Sequence, residues 1–119
     1  MLCDTSFYQK VYLATGYTDL RNGIDGLAGY IQQAFQLHPF QTGILFLFCG
    51  RRSDRIKGLL WEGDGFLLLY KRLEKGKYQW PRNEQAIKEL TDQQYKWLME
   101  GLTLTPKTSI QKLTPQRAL

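Results

Sequence analysis

The sequence predicts an α+β fold: a mainly antiparallel sheet of four or five strands arranged as a meander, one packed helix, and a C-terminal helical segment. Two observations predict it. Short apolar runs are separated by glycine-containing turn signals, and two other stretches carry apolar residues at helical spacing. A chain of 119 residues with 43% hydrophobic content is long enough for one domain. We expect that domain over residues 1–102, followed by a flexible basic tail over residues 103–119.

The first predicted elements are a strand over residues 10–15 (KVYLAT) and a helix over residues 22–36. In the second segment, large and small apolar residues recur at helical spacing. This apolar face comprises Ile24, Leu27, Ala28, Ile31 and Phe35. One face of the helix should therefore pack on the sheet.

The ends of this helix are also indicated by the sequence. Asn22 is the predicted N-cap, and the helix should end before His38, because a residue that precedes proline is disfavoured in the α region. Gly23, Gly26 and Gly29 each lower helix propensity by up to about 1 kcal/mol relative to alanine. These glycines suggest close packing of the helix against other backbone.

The remaining strands follow one another closely. Residues 43–50 (GILFLFCG) are almost continuously apolar, which is typical of a central strand covered on both faces. Residues 55–63 (RIKGLLWEG) and 66–74 (FLLLYKRLE) flank the turn signal GDG, and residues 77–80 (KYQW) follow a second signal, KG. The last three segments predict an antiparallel meander.

The pairing inside this meander depends on the length of its first turn. A three-residue GDG loop places Tyr70 opposite Gly58 and Lys71 opposite Lys57. An aromatic ring would then cover a strand glycine, while two like charges would face each other. A two-residue turn would shift the whole register by one residue.

A second helical region is predicted after the meander, over residues 82–90 (RNEQAIKEL) and 91–102 (TDQQYKWLMEGL). Thr91 breaks the region and can cap its second part. The buried stripe of that part comprises Tyr95, Leu98, Met99 and Leu102. This stripe should hold the C-terminal helix against the sheet.

The net charge of +5 is concentrated in the middle of the chain. Residues 51–82 carry nine cations against four acids, and the predicted tail adds three cations without an acid. A local basic surface of this kind is typical of proteins that bind polyanions. The alternative is that lysines only solubilise the strand edges.

The candidate nucleic-acid contacts are cations in the RRSDRIK connection and along the predicted hairpins. Arginine forks bind phosphate bidentately. Aromatic side chains interleaved with the cations could stack on bases, as in proteins that bind single-stranded nucleic acid, or could belong to the core. The candidate aromatics are Trp61, Tyr70, Tyr78 and Trp80. The candidate cations are Arg51, Arg52, Arg55, Lys57, Lys71, Arg72, Lys75 and Lys77.

No catalytic, metal or cofactor site is predicted. Glu62 and Asp64 lie in a glycine-flanked turn, where acidic residues serve local hydrogen bonding, and two carboxylates do not make a two-metal nuclease site. Cys3, Cys49 and His38 have no metal-ligand spacing. The residues therefore indicate a binding module rather than an enzyme.

The sequence also predicts a cellular location. No apolar run approaches the 20 residues of a membrane-spanning helix, and the start MLCDTSFYQK lacks the charged and apolar regions of a signal peptide. We therefore expect a cytoplasmic protein without membrane contact.

Three segments together resemble a known family. VYLATGYTDLRNGIDGLA, LFLFCGRRSDRIKGLLWEGDGFLLLYKRLEKGKYQWP and LTDQQYKWLMEGL are similar to the small accessory protein, usually labelled TnpB, that is encoded by the second reading frame of bacterial insertion sequences of the sixty-six family. The resemblance covers residues 10–102. Gly58 and Cys49 depart from the family's usual residues, and neither is one of the cations.

The resemblance implies a non-catalytic protein of transposition that acts beside a separate transposase. Together with the charge pattern, it makes transposon-end DNA the expected partner, bound through the basic strand-loop-strand region. A protein-interaction module that docks on the transposase or on another accessory subunit is the alternative. RNA binding is a third possibility, which would require Trp61 and Trp80 to be exposed.

Overall fold

The computed structural model describes residues 8–105 of the chain. The elements are β1 (Lys10–Ala14), α1 (Ile24–Phe35), β2 (Ile44–Cys49), β3 (Arg55–Trp61), β4 (Phe66–Arg72), β5 (Ile87–Leu90) and α2 (Asp92–Met99). The five strands form one sheet in the order β4-β3-β2-β1-β5, with a helix on each face. β1 and β2 are parallel, and the other neighbouring strands are antiparallel. The predicted α+β class is confirmed.

β2 occupies the centre of the sheet, as the sequence predicted, and all six of its residues are buried. Alternate side chains enter two different cores. Phe46 and Phe48 pack with the apolar face of α1, whereas Leu45 and Leu47 pack on the face that α2 covers. A strand covered on both faces cannot alternate apolar and polar residues, which explains its continuous apolar run.

α1 confirms the predicted apolar face, since Leu27, Ala28 and Ile31 are buried. Its N-cap is Gly23 rather than Asn22, and its C-cap, Gln36, adopts the left-handed conformation with φ of 56°. The predicted close packing of the helix glycines is wrong. A Cβ atom built on Gly23 or Gly29 would meet no atom within 4 Å, and the nearest atoms to one on Gly26 would belong to the Asn22 side chain rather than to backbone.

The β3–β4 hairpin has a two-residue turn. Glu62 N–H donates to the Gly65 carbonyl at 2.8 Å, and Gly63 has φ of 95°, as a tight hairpin turn requires. The register expected from a three-residue loop is therefore wrong by one residue. Lys57 pairs with Tyr70, not with Lys71.

The glycine of β3 is consequently covered by aliphatic residues rather than by an aromatic ring. Leu69 lies opposite Gly58. A Cβ atom at Gly58 would lie 3.1 Å from Leu45 Cδ1, so the side chain of Leu45 uses the space that the glycine leaves.

Two predictions for residues 73–90 are wrong. Residues 77–80 form no strand, and Ile87–Leu90 is the edge strand β5, antiparallel to β1, instead of helix. The local propensity of RNEQAIKEL favours a helix, but pairing with the otherwise open edge of β1 outweighs a preference worth a few tenths of a kcal/mol per residue.

Residues 73–86, which we call the connecting segment, cross from β4 to β5 without regular structure. The segment is fastened to the end of β1. Trp80 Nε1–H donates to the Ala14 carbonyl at 2.9 Å, and Gly16 N–H donates to the Pro81 carbonyl at 2.9 Å. Trp80 and Tyr78 are buried in the core beneath this crossing.

α2 begins after Thr91, as predicted. The Thr91 hydroxyl accepts from Gln94 N–H at 3.1 Å, and the Gln94 side chain accepts from Thr91 N–H at 3.0 Å, which makes a capping box. Tyr95 and Leu98 are buried, but the expectation for Leu102 is wrong. The helix ends at Met99, so Leu102 leaves the apolar stripe and is half exposed.

Leu104 belongs to the core cluster that α2 covers. The rest of the tail predicted over 103–119, from residue 106 onward, lies outside the described residues. Within residues 8–105, no helix is long and apolar enough to cross a membrane.

Replacing Thr91 by Ala should remove half of the capping box and lower the free energy of unfolding by about 1 kcal/mol. Thr91→Ser retains a hydroxyl acceptor and should stay within a few tenths of a kcal/mol of the parent. Urea unfolding followed by circular dichroism measures both. Equal losses in the two variants would show that the hydroxyl does not cap α2.

Candidate nucleic-acid interface

A groove of about 990 Å³ opens where β1 and β2 end. The two strands are parallel, so the chain leaves both of them at the same edge of the sheet. The β1–α1 connection and the β2–β3 loop therefore lie side by side, held together where Thr18 N–H donates to the Cys49 carbonyl at 2.9 Å. Ligands of open sheets commonly bind beyond the carboxyl ends of parallel strands. We call this cavity the basic groove.

The lining of the basic groove is strongly cationic. Four of its cations were predicted from the sequence, and the fifth, Arg21, was not. The five are Arg21, Arg51, Arg52, Arg55 and Lys57. Asp19 is the one acid that lines the groove among the described residues. The local charge is therefore clearly positive at neutral pH.

Strand geometry explains why cations from β3 reach this groove. Arg55 and Lys57 are two residues apart, so their side chains leave the same face of β3. Tyr70 of β4 lies directly opposite Lys57 and shares that face, with Lys57 Nζ 6.0 Å from its ring centre. Lys57 also donates to the Asn22 carbonyl at 3.0 Å, which orients it toward the β1–α1 connection.

Two carboxylates each hold an arginine. Asp54 accepts from Arg55 Nε–H at 3.0 Å and lies 3.5 Å from Arg52 NH2, and the bond with Arg55 lowers the pKa of Asp54 below its usual value. Asp19 accepts from Arg21 NH2 at 2.7 Å, and this pairing lowers the pKa of Asp19 from 3.8 to about 2. Both carboxylates are therefore ionised throughout the physiological range.

The arginines differ in how available they are to a ligand. The Arg55 side chain is 26% exposed and closely paired, whereas that of Arg52 is 73% exposed and its ion pair is long. Arg51 is exposed and forms no ion pair with the described residues. Arg51 and Arg52 are thus the cations at the mouth of the groove that can most easily change partner.

Arg82, which was not predicted from the sequence, connects the segments that form the groove. Its NH1 donates to the Gly16 carbonyl at 2.7 Å, and its NH2 donates to Ser53 Oγ at 3.1 Å and contacts Cys49 Sγ at 3.5 Å. The guanidinium also lies 4.3 Å from the ring centre of Tyr17. One side chain thereby links the end of β1, the end of β2 and the β2–β3 loop.

Cys49 is fully buried beside this guanidinium. Burial raises the pKa of its thiol, and the nearby charge of Arg82 opposes that rise only in part. The thiol is also within reach of the Arg55 carbonyl, with Sγ 3.5 Å from the oxygen. Cys49 therefore packs and donates as a neutral thiol.

The other four predicted cations lie outside the basic groove. Lys71 leaves the opposite face of β4, since it pairs with Ile56. Arg72 lies opposite Arg55 and beside Glu74, with 3.5 Å between NH2 and Oε1. Lys75 and Lys77 are exposed on the connecting segment.

Only one of the four predicted aromatics, Tyr70, lines the groove. Tyr78 and Trp80 are core residues. Trp61 packs against Phe40 and Phe66 at the opposite end of β3, with ring centres about 5 Å apart. A second tyrosine on the groove, Tyr17, was missed, because no local pattern marks the β1–α1 connection as part of a binding surface.

Comparison with known proteins agrees with the motif resemblance. The model of the family described as "IS66 Orf2 like protein" matches residues 9–109. The chain belongs to this family. The family consists of accessory proteins of transposition encoded by insertion sequences. Its match includes every element of the sheet and both walls of the basic groove.

Two relatives come from Sinorhizobium fredii (strain NBRC 101917 / NGR234). The chain is 36% identical to "Uncharacterized protein y4hO" over 93 residues, which are 78% of this chain and 80% of the relative. It is 30% identical to "Uncharacterized protein y4jC" over 96 residues, 81% of each chain. No solved structure matches the chain.

Arg82→Lys should lower the free energy of unfolding by about 1–3 kcal/mol, because one ammonium group cannot replace a planar fork that bonds three separate groups. Arg51→Lys, an exposed arginine in the same family-matched region, should change it by less than about 0.5 kcal/mol. Urea unfolding measures both variants. Equally small effects would show that Arg82 does not fasten the two loops.

The Asp19 carboxyl should titrate with a pKa of about 2, followed by NMR of its side-chain carbon. Since this pKa is depressed on folding, the pair stabilises the fold above pH 3.8 and ceases to do so as the pH falls toward 2. Arg21→Gln should raise the pKa toward 3.8, and Lys57→Gln should raise it much less. A similar rise in both variants would contradict the assigned hydrogen bond.

Proposed function

We propose that this protein is a non-catalytic accessory factor of transposition that binds the DNA of its insertion sequence through the basic groove. The observation that carries the proposal is the convergence of five cations, drawn from two separate parts of the chain, on one cavity that a single acid lines, with Asp54 beside it as the partner of Arg52 and Arg55. If these side chains only formed structural ion pairs, cationic and acidic side chains would be present in comparable numbers. An excess of cations around an open cavity favours an anionic ligand.

The phosphate backbone is the anion that this surface fits best. Arg51 and Arg52 present exposed guanidinium groups, which match a phosphate bidentately, and Lys57 adds a charge deeper in the groove. Phosphate contacts of this kind position DNA without reading its sequence. We therefore expect weakly sequence-specific and strongly salt-dependent binding.

The family assignment supports DNA as the source of the phosphates, because a protein of an insertion sequence acts where the DNA of that element is processed. A separate transposase and another accessory subunit are further proposed partners. The alternative function is docking of the same basic surface onto an acidic patch of one of these proteins.

A salt titration tests the proposal. A labelled fragment of the element end is offered as duplex and as each separated strand, and its affinity for the full chain is measured by fluorescence anisotropy. About four phosphate contacts predict a slope of log affinity against log salt near −3.6 for duplex, or near −2.8 for a single strand. Arg51→Ala/Arg52→Ala should remove about two phosphate contacts, and the slope should become shallower in proportion.

The matched control is Lys75→Ala/Lys77→Ala, which removes the same charge from exposed positions outside the groove. If both double variants lose affinity equally, binding follows net charge and the groove is not the contact surface. If no form of the DNA binds at low salt, the proposal is wrong, and the same residues should be tested against the transposase.

A further inference from the structure

We propose that the basic groove holds an unpaired DNA strand rather than a duplex. This inference rests on the proposed function, since it specifies the form of DNA that the same surface takes. The size of the groove, its two exposed aromatic rings and the apolar part of its lining favour an unpaired strand.

The size of the groove suits a single strand. A cavity near 990 Å³ is as large as the largest pockets for small organic ligands, which span about 300–1,000 Å³, so it can hold a few nucleotides but not a helix. A duplex placed over it would reach Arg51 and Arg52 at the mouth. Arg55 and Lys57 are less exposed, so a rigid duplex fits them less closely than a flexible strand that can follow the lining of the groove.

The exposed aromatic rings also favour a single strand over a duplex. Only four large hydrophobic side chains are exposed among residues 8–105, and two of them, Tyr17 and Tyr70, line this groove at 48% and 55% exposure. Duplex DNA hides the faces of its bases and gives such rings no partner. Unpaired bases stack on aromatic side chains in proteins that bind single strands.

Part of the lining of the groove is apolar. Leu20 of the β1–α1 connection and Leu68 of β4 contribute it, and both are only partly buried. A phosphate would gain nothing from these side chains. The flat, weakly polar faces of bases would gain from covering them.

Each exposed ring of the groove has a cation close to it. Arg51 lies 5.6 Å from the ring centre of Tyr17, and Lys57 lies 6.0 Å from that of Tyr70. Along a single strand every base adjoins a phosphate, so a base that stacks on either ring brings a phosphate near the neighbouring cation. Arg82 packs on Tyr17 at 4.3 Å and holds that ring in place before a ligand arrives.

The test compares a fluorescein-labelled 12-nucleotide oligothymidine with a duplex hairpin of the same number of phosphates, using anisotropy and the full chain. We expect the single strand to bind at least tenfold more tightly. Tyr70→Leu keeps an apolar side chain on the edge strand but removes the ring, and should weaken single-strand binding about fivefold or more. It should leave duplex binding unchanged.

Tyr70→Phe is the matched control, because it retains the ring and should bind the single strand like the parent. A thermal unfolding curve for each variant checks that the fold is retained. Deoxythymidine monophosphate is added as a competitor, and a strand site predicts that it competes only at concentrations at least a hundredfold above those of the oligomer.

The outcomes separate this inference from the proposed function. Duplex binding equal to or tighter than single-strand binding, with loss in Arg51→Ala/Arg52→Ala, would overturn the inference and leave DNA binding intact. Equal loss in Tyr70→Leu and Tyr70→Phe would also overturn it, as would competition by the mononucleotide at oligomer concentrations. No binding of either form would overturn both proposals.

Discussion

The guanidinium of Arg82 joins three parts of the chain that are distant in sequence: the end of β1, the end of β2 and the β2–β3 loop. The parallel pairing of β1 and β2 brings these ends to one edge of the sheet, and Arg82 fixes the distance between them. Both walls of the basic groove extend from these fastened points. A cation used in this way is structural, although its charge adds to the potential that an anion meets in the groove.

Two elements were predicted correctly because their apolar pattern matches the surfaces that the fold buries. β2 is buried on both faces and the apolar face of α1 is continuous, so local pattern and tertiary structure agree. The helix predicted over residues 87–90 was wrong, because a short amphipathic stretch is stable as either helix or strand. Pairing with the open edge of β1 favours the strand. The predicted hairpin register was wrong because GDG is compatible with two turn lengths.

The candidate site was predicted only as far as one loop could reveal it. Four clustered cations between two apolar strands marked the β2–β3 side of the groove. Arg21 and Tyr17 lie on the other side and belong to it only because β1 and β2 are parallel, a pairing that the antiparallel meander did not predict. The role of Arg82 could not be predicted from local sequence either, because its partners are more than 25 residues away in the chain.

β3 carries cations at one end and Trp61 at the other, where Phe40 and Phe66 complete an aromatic cluster that is partly exposed. A seven-residue strand paired on both sides separates these ends by about 20 Å. Substitutions that far apart, without shared partners, act additively on free energy. A substitution at one end of this small domain therefore leaves the other end unaffected, on a scaffold that neither change needs to alter.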